Sequence, residues 1–132
     1  SMAELNRIKG TSLEKIDFIA NVSEKESLEQ LLESSCAFLN TDGGTLIVGQ
    51  NREMDNDKDI YKVHGTAFII EQLLPISFPY EEDHFTFKKR NLRGRQFLEI
   101  TITKSYKDCF YNGQFYYRCT FGNILDFDRS FL

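Results

Sequence analysis

The segment CAFLNTDGGTLIVGQN, residues 36–51, constrains the fold of this chain most strongly. Before it, apolar residues recur at helical spacing, and Ser23 and Glu26 have the spacing of a capping box. Gly43 or Gly44 can end this helix in the left-handed conformation, because neither has a Cβ. Residues 45–48 are β-branched or apolar without alternation, which is typical of a strand covered on both faces. The segment therefore predicts a long helix, a tight turn and a buried strand.

The rest of the chain continues this mixed pattern. Residues 15–19 predict a strand, and Thr66 is a plausible N-cap for a second helix that Pro75 and Pro79 end. Residues 50–58 are polar and acidic, which is typical of a loop, and residues 60–63 have the pattern of a short strand.

Two hairpins are predicted in the second half of the chain. Residues 84–88 and 96–103 form the strands of the first, with residues 91–94 as their connection. Asn112 and Gly113 form the turn of the second, between residues 110–111 and 115–119, whereas residues 121–132 are ambiguous. We expect a single α/β (α+β) domain over residues 1–132, with a mixed sheet on which a long helix and a shorter helix pack.

Composition is that of an ordinary globular domain, with 41% hydrophobic and 27% charged residues. No stretch approaches the roughly 18 apolar residues that cross a membrane, so we expect no membrane association. The three cysteines include no C-x-x-C pair, which favours reduced thiols in a cytoplasmic protein and no zinc site. Ser1 and Met2 are interpreted as a cloning remnant, and the chain as a fragment of a longer protein.

Charge is unevenly distributed along the chain. Residues 1–83 carry 7 Lys/Arg and 16 Asp/Glu, whereas residues 84–132 carry 9 Lys/Arg and 4 Asp/Glu. The net charge of −4 argues against strong non-specific binding to nucleic acid, because the phosphate backbone is also an anion. A local cluster of basic residues within residues 88–95 can still give a positive surface.

Three segments resemble one family in the same order. NTDGGTLIVGQN (residues 40–51) resembles the signature of the Schlafen-type AlbA-like domain. LEKIDFIAN (residues 13–21) stands where that family has an acidic-Phe strand, and NGQFYYRCTFGN (residues 112–123) is similar to its closing G-x-Y-Y-x-R stretch. The resemblance covers the chain from about residue 12 to about residue 123. It implies a nucleic-acid-binding module of a bacterial transcriptional regulator or a larger Schlafen protein, and a structural motif made of Asn40, Gly43, Gly44 and Gly49.

The family also includes RNA endonucleases in which three carboxylates hold Mg²⁺ or Mn²⁺. When the chain is aligned on Phe18, Asp17 stands at the second acidic position, but Ser12 and Asn51 stand at the other two. Glu14 is near in sequence, although strand alternation places it on the face opposite Asp17. We therefore expect a non-catalytic protein without a metal or cofactor. The alternative is a metal-dependent RNA or DNA endonuclease with a degenerate acidic site at Asp17 and Glu14.

The sequence lacks the motifs of two other enzyme classes. The chain contains no G-x-x-x-x-G-K-[ST] sequence for an ATPase phosphate loop and no G-x-S-x-G nucleophile turn. The glycines of residues 40–45 begin a predicted strand, whereas a phosphate loop begins a helix.

Candidate nucleic-acid contacts fall in two places. The first is the basic segment within residues 88–95, which is either a phosphate-binding surface or a solvated hairpin tip. In residues 115–119, alternation places Tyr116 and Arg118 on one face, where they could stack on bases and contact phosphate, or Arg118 could pair with an internal carboxylate. A third hypothesis is a protein-interaction or homodimerisation module, in contact with other domains of the full-length protein. The candidate contacts are Lys88, Lys89, Arg90, Arg93, Arg95, Tyr116 and Arg118.

Overall fold

The computed structural model describes residues 13–20, 22, 24–49, 66–92 and 95–131. Two helices and a mixed sheet confirm the predicted α+β class. A 3₁₀ turn at Glu82–His84 precedes the third strand. The helices and strands, in chain order, are β1 (Ile16–Ile19), α1 (Lys25–Asn40), β2 (Gly44–Val48), α2 (Thr66–Ser77), β3 (Phe85–Leu92), β4 (Arg95–Ile102), β5 (Phe115–Cys119) and β6 (Gly122–Asp126).

Four strands form one sheet in the order β1-β2-β4-β3. The β1–β2 pair is parallel, while β2–β4 and β4–β3 are antiparallel, so the sheet is mixed as predicted. Strands β5 and β6 form a separate antiparallel pair, and β5 packs against α1. Among the described strands, β3 is therefore one edge of the four-stranded sheet, and β1 is the other.

Alternation sorts the side chains of this sheet onto two faces. One face, here called the helix face, joins both helices in the main core through residues such as Leu46, Leu98 and Ile100. The opposite face, here called the far face, has a small apolar cluster made of Ile16, Phe18, Ile47 and Phe97. Both faces of β2 are buried from Leu46 onward, which explains why its sequence lacks polar alternation.

Helix α1 begins later and differently from the prediction. Its N-cap is Glu24, which makes no side-chain capping hydrogen bond, and Ser23 lies outside the described residues. The predicted capping box, which includes Ser23, therefore lies outside the described residues. The end of the helix is as predicted: Gly43 has a φ of 72°, and its N–H donates to the Phe38 carbonyl at 2.9 Å.

Helix α2 continues through Pro75 to Ser77, so the prediction that Pro75 ends it is wrong. Proline removes the N–H that would bind the carbonyl four residues earlier, but its fixed φ is helical. In the last turn this loss is small, and the Phe78 N–H still donates to the Leu74 carbonyl at 2.9 Å. Thr66 is itself the first helical residue, so it does not precede the helix as an N-cap.

The hairpins also differ from the predictions. Strands β3 and β4 pair as far as Leu92 with Arg95, so the connection is two residues long, and it lies outside the described residues. The turn at Asn112-Gly113 is present, with both residues at positive φ, but it joins only an isolated bridge. The partner of β5 is β6, within the segment that gave no clear prediction. The loop and strand predicted at residues 50–63 lie outside the described residues.

Candidate nucleic-acid interface

Asn40 joins the end of α1 to the chain that leads into β5. Its side-chain nitrogen donates to the carbonyls of Cys109 and Tyr116, at 2.9 Å each. Its side-chain oxygen accepts from the Cys109 N–H at 2.8 Å. One amide side chain thus makes hydrogen bonds with three backbone groups of Cys109 and Tyr116. Asn40, the first residue of the motif that resembles the family signature, therefore has a structural role.

The two glycines of the turn between α1 and β2 allow the chain to pack closely against neighbouring backbone and against the Phe38 ring. A Cβ at Gly44 would lie 2.5 Å from the Phe38 ring and 2.9 Å from the Lys15 carbonyl oxygen. A Cβ at Gly43 would collide with the Ile102 carbonyl oxygen. These contacts hold β2 against β1 and against the end of β4. The motif residues Asn40, Gly43 and Gly44 therefore act in folding, and Gly49, with a φ of 93°, ends β2.

Arg118 is buried between the β5–β6 pair and β1. Its side chain is 1% exposed and lies 3.2 Å from Asp17 Oδ2, where Asp17 is 12% exposed. The guanidinium also donates to the carbonyls of Leu13 (2.7 Å) and Ile16 (3.0 Å) and to Asn123 Oδ1 (2.6 Å). Arg118 therefore lies in the alternative environment considered from the sequence, paired with an internal carboxylate, and it is not at the surface.

The carboxylate of Asp17 is surrounded by donors. Ser34 Oγ donates to Oδ2 at 2.6 Å, and Gln30 Nε2 lies 3.3 Å from each oxygen. The Phe18 N–H donates to Oδ1 at 2.8 Å. This network places a positive charge and four N–H or O–H groups where a metal ion would need lone pairs. Glu14 is exposed, as alternation predicts for the opposite face, and the described part of the chain contains no group of three His, Cys, Asp or Glu residues that could hold a metal ion.

Tyr116 shares the buried face of β5 with Arg118, as alternation predicts. Its hydroxyl lies 2.8 Å from Gln114 Oε1 and 3.3 Å from Glu33 Oε1. Burial, with the nearby Glu33 carboxylate, raises the pKa of Tyr116 to about 12. Burial also raises the pKa of Glu33 above its usual range. Tyr116 is thus a packed hydroxyl facing α1, and its ring is not an exposed stacking surface.

The basic segment is divided by strand alternation. Lys88 and Arg90 lie on the far face of β3, as their partners Glu99 and Phe97 do, whereas Lys89 lies on the helix face opposite Leu98. Arg93 is outside the described residues, and Arg95 is placed only as the first residue of β4. Arg90 Nη2 lies 3.1 Å from Glu99 Oε2. The sheet order then separates Arg118, beside β1, from Lys88 and Arg90, on the opposite edge.

A cluster that the sequence did not indicate lies where β3 begins. Tyr80 and Tyr106 are 84% and 98% exposed. Lys107 Nζ is 5.1 Å from the Tyr80 ring centroid, and the His84 ring is 5.6 Å from that of Tyr106. The carboxylate of Glu81 is buried among them. No spacing pattern joins these residues, because they meet only when the segment before β3 packs on the segment after β4.

Comparison with known proteins gives a family and a fold. The family model described as Schlafen, AlbA_2 matches residues 13–122. Comparison with curated proteins gives no match. The crystal structure of the DIP2311 protein from Corynebacterium diphtheriae is similar, with a TM-score of 0.68 and 13% sequence identity, over 95% of this chain and 29% of that one. At this identity the likeness concerns the fold alone, and the chain spans less than a third of that protein.

A search of the described residues for membrane-spanning helices found none that is both long and apolar enough to cross a bilayer.

Proposed function

Because the chain belongs to the Schlafen AlbA_2 family, we propose that it is a non-catalytic nucleic-acid-binding module of a larger regulatory protein. The observation that carries this proposal is the alignment of Lys88 and Arg90 on the far face of edge strand β3. The two side chains are separated by one residue, so they lie about 6–7 Å apart along the strand. This far-face pair is the surface to which we assign phosphate binding.

The surroundings of the far-face pair support contact with phosphate. Thr86 and Thr101 are exposed and paired across β3 and β4 on the same face, so their hydroxyls can donate to phosphate oxygens. Arg90 contacts Glu99 through Nη2, and a guanidinium has five N–H donors, so other donors remain. No ion pair joins Lys88 to another residue within the part of the chain that the structure describes.

The Asp17 network supports the non-catalytic part of the proposal. A nuclease carboxylate must offer lone pairs to a divalent cation. Here Arg118 holds its positive charge 3.2 Å from that carboxylate, with Ser34 at 2.6 Å on the same oxygen. A metal at Asp17 would have to displace both groups and leave a buried guanidinium without its partner, which is costly.

The proposal is tested by fluorescence anisotropy with single-stranded RNA, single-stranded DNA and duplex DNA across a salt series. We expect affinity to fall as salt rises, with a slope of about −0.7 to −0.9 for each phosphate contacted. Parallel samples with Mn²⁺ are run on a gel, where the probe should remain intact. Absence of binding at low salt would overturn the module, and cleavage that depends on Mn²⁺ would overturn its non-catalytic character.

A second candidate function, protein interaction or homodimerisation, is favoured by the exposed aromatic residues of the β5–β6 pair. Tyr117, Phe121 and Phe127 are all exposed, and Phe121 is 90% exposed at the turn. Exposed large apolar side chains on one strand pair can contribute to an interaction surface. The test is molar mass by light scattering for the wild type and Phe121→Ser. A wild-type dimer that becomes a monomer in the variant would support this function. A wild-type monomer at every concentration would contradict homodimerisation.

A further inference from the structure

A cleft of about 320 Å³ lies between residues 77–81 and residues 107–110. Its lining includes the buried apolar side chains of Phe78 and Cys109, with Tyr80 and Lys107 also on its wall. The volume is at the lower end of the range for small-molecule sites. The cleft can therefore accommodate one flat, largely apolar group.

Glu81 gives this cleft a buried hydrogen-bond acceptor. Its side chain is 3% exposed and lines the cleft. Its two oxygens face His84 Nε2 at 3.5 Å and Lys107 Nζ at 3.7 Å, and both distances exceed those of good hydrogen bonds. No hydrogen bond from a described donor reaches this carboxylate. Because buried carboxylates normally accept several hydrogen bonds, Glu81 has acceptor capacity that a ligand can use.

Tyr80 stands beside the cleft in a costly backbone conformation. Its φ is 70°, in the left-handed region that bulky residues rarely adopt, and its ring is 84% exposed. The ring gains little from burial, so packing does not explain why a tyrosine occupies this position. An aromatic face beside an apolar cleft is the surface on which unpaired bases stack, and Lys107 next to it can contact a phosphate.

The cleft and the far-face pair lie along the same edge of the sheet. The Thr103 N–H donates to the His84 carbonyl at 2.9 Å, which extends the β3–β4 register by one pair beyond Phe85. His84 and Lys88 are four residues apart, or about 13 Å along a strand. A single strand of a few nucleotides can therefore contact Lys88 and reach the cleft.

We propose that this cleft binds one unpaired nucleobase that carries an amino group, as cytosine, adenine and guanine do. The inference rests on the proposed function and adds the base preference of the module. The base stacks on Tyr80 above Phe78, and its amino N–H groups donate to Glu81. Exposed carboxylates at Glu82 and Asp83 disfavour a run of phosphates here, so the cleft takes a base rather than a duplex backbone. Thymine and uracil present carbonyl oxygens on both sides of their single N–H, and these repel a carboxylate.

The test compares binding of oligo(dC), oligo(dA) and oligo(dT) of equal length, with the RNA equivalents and a duplex as further arms. We expect wild-type protein to bind oligo(dC) and oligo(dA) about fivefold or more tightly than oligo(dT). Glu81→Gln should lose this preference while it retains binding through Lys88. Tyr80→Asn removes the ring but keeps a residue that tolerates positive φ, so it should bind every single strand about fivefold or more weakly.

Controls separate this inference from the proposed function. Ile69→Ala removes another exposed apolar side chain, on α2 and outside the lining of the cleft, and should bind like the wild type. Thermal melting establishes that each variant is folded, and if Glu81→Gln is not, Tyr80→Asn decides. Binding without base preference, or a preference that survives Glu81→Gln, overturns this inference alone. Failure of the wild type to bind any oligonucleotide overturns the proposed function together with it.

Discussion

Arg118 and Asp17 form an ion pair that almost no solvent reaches. The guanidinium also lies with its Cζ 4.9 Å from the Phe38 ring centroid, so residues of α1, β1 and β6 all contact it. A buried pair of this kind contributes little compared with apolar residues of the same volume, but the loss of one partner leaves an uncompensated charge. The pair therefore fixes how the β5–β6 pair docks rather than adding much to stability.

We expect Arg118→Met and Asp17→Leu to lower the free energy of unfolding by about 3–5 kcal/mol each. The double variant should lose much less than the sum, because neither charge then remains buried alone. Urea unfolding of the four proteins measures this coupling. Strictly additive losses would contradict the assignment of the pair as mutually dependent.

The three cysteines differ in their environments. Burial raises the pKa of Cys36 to about 12 and also raises the pKa of Cys109. Only the thiolate is nucleophilic, and Cys119 is the one thiol of the three that is not buried. At pH 8 we expect one thiol to react rapidly with a disulfide reagent and two to react only on unfolding. Rapid reaction of all three, or protection of Cys119 in mass-spectrometric mapping, would contradict this arrangement.

Tyr116 makes the free energy of unfolding depend on pH in the alkaline range. Its pKa is raised from 10.0 to about 12, so the folded state holds the phenolic proton more tightly than the unfolded state does. This contribution is complete below pH 10 and is lost as pH rises toward 12. Tyr116→Phe should reduce the fall in unfolding free energy between pH 10 and pH 12. An equal fall in both proteins would show that other groups, such as Cys36, account for it.

At the scale of single elements, the turn between α1 and β2 shows why glycine is required at two successive positions. Gly43 needs a positive φ and Gly44 needs space, because the Phe38 ring packs directly on it. The sequence indicated both glycines as a turn, and the strand after them was confirmed, since an unbroken apolar run has few other solutions. The hydrogen bonds of the Asn40 side chain could not be predicted from the sequence, because its partners lie more than 60 residues away.

We expect Gly44→Ala to lower the free energy of unfolding by about 1–3 kcal/mol, as overpacked substitutions do. The matched control is Gly122→Ala, where the φ is 114° but no atom lies within 4 Å of the added Cβ. Gly122→Ala should show only backbone strain, without a packing clash. Chemical denaturation measures the free energy of unfolding of each variant. If the clash with the Phe38 ring causes the loss, Gly44→Ala should cost less in a Phe38→Leu background. An equal loss in both backgrounds would contradict the clash.

Strand pairing was less accessible to sequence reasoning than strand position. Residues 115–119 were correctly placed in a strand, but the Asn112-Gly113 turn predicted the wrong partner. That turn does close, with reciprocal 2.9 Å hydrogen bonds between Tyr111 and Gln114, yet it extends no further. A turn signal predicts local reversal only, whereas docking against α1 selects which neighbour β5 pairs with.

At the scale of the whole molecule, distribution of charge matters more than its total. The chain has a net charge of −4, but its far-face pair lies on an edge strand, whereas the exposed Glu26 and Glu29 lie on α1. The basic segment was visible in the sequence, while its division into far-face and helix-face residues follows from strand alternation. The Tyr80–Glu81 cleft could not be predicted, because two segments about 25 residues apart form it.

The central claim is tested most directly by reversing one charge on the far-face pair. Lys88→Glu and the matched control Lys25→Glu, at the exposed start of α1, are titrated with single-stranded nucleic acid across a salt series. We expect Lys88→Glu to weaken binding to all sequences alike and to reduce the salt slope by about one, with Lys25→Glu close to the wild type. Equal effects of the two variants, or an unchanged slope for Lys88→Glu, would contradict the assignment of β3 as the phosphate-binding edge.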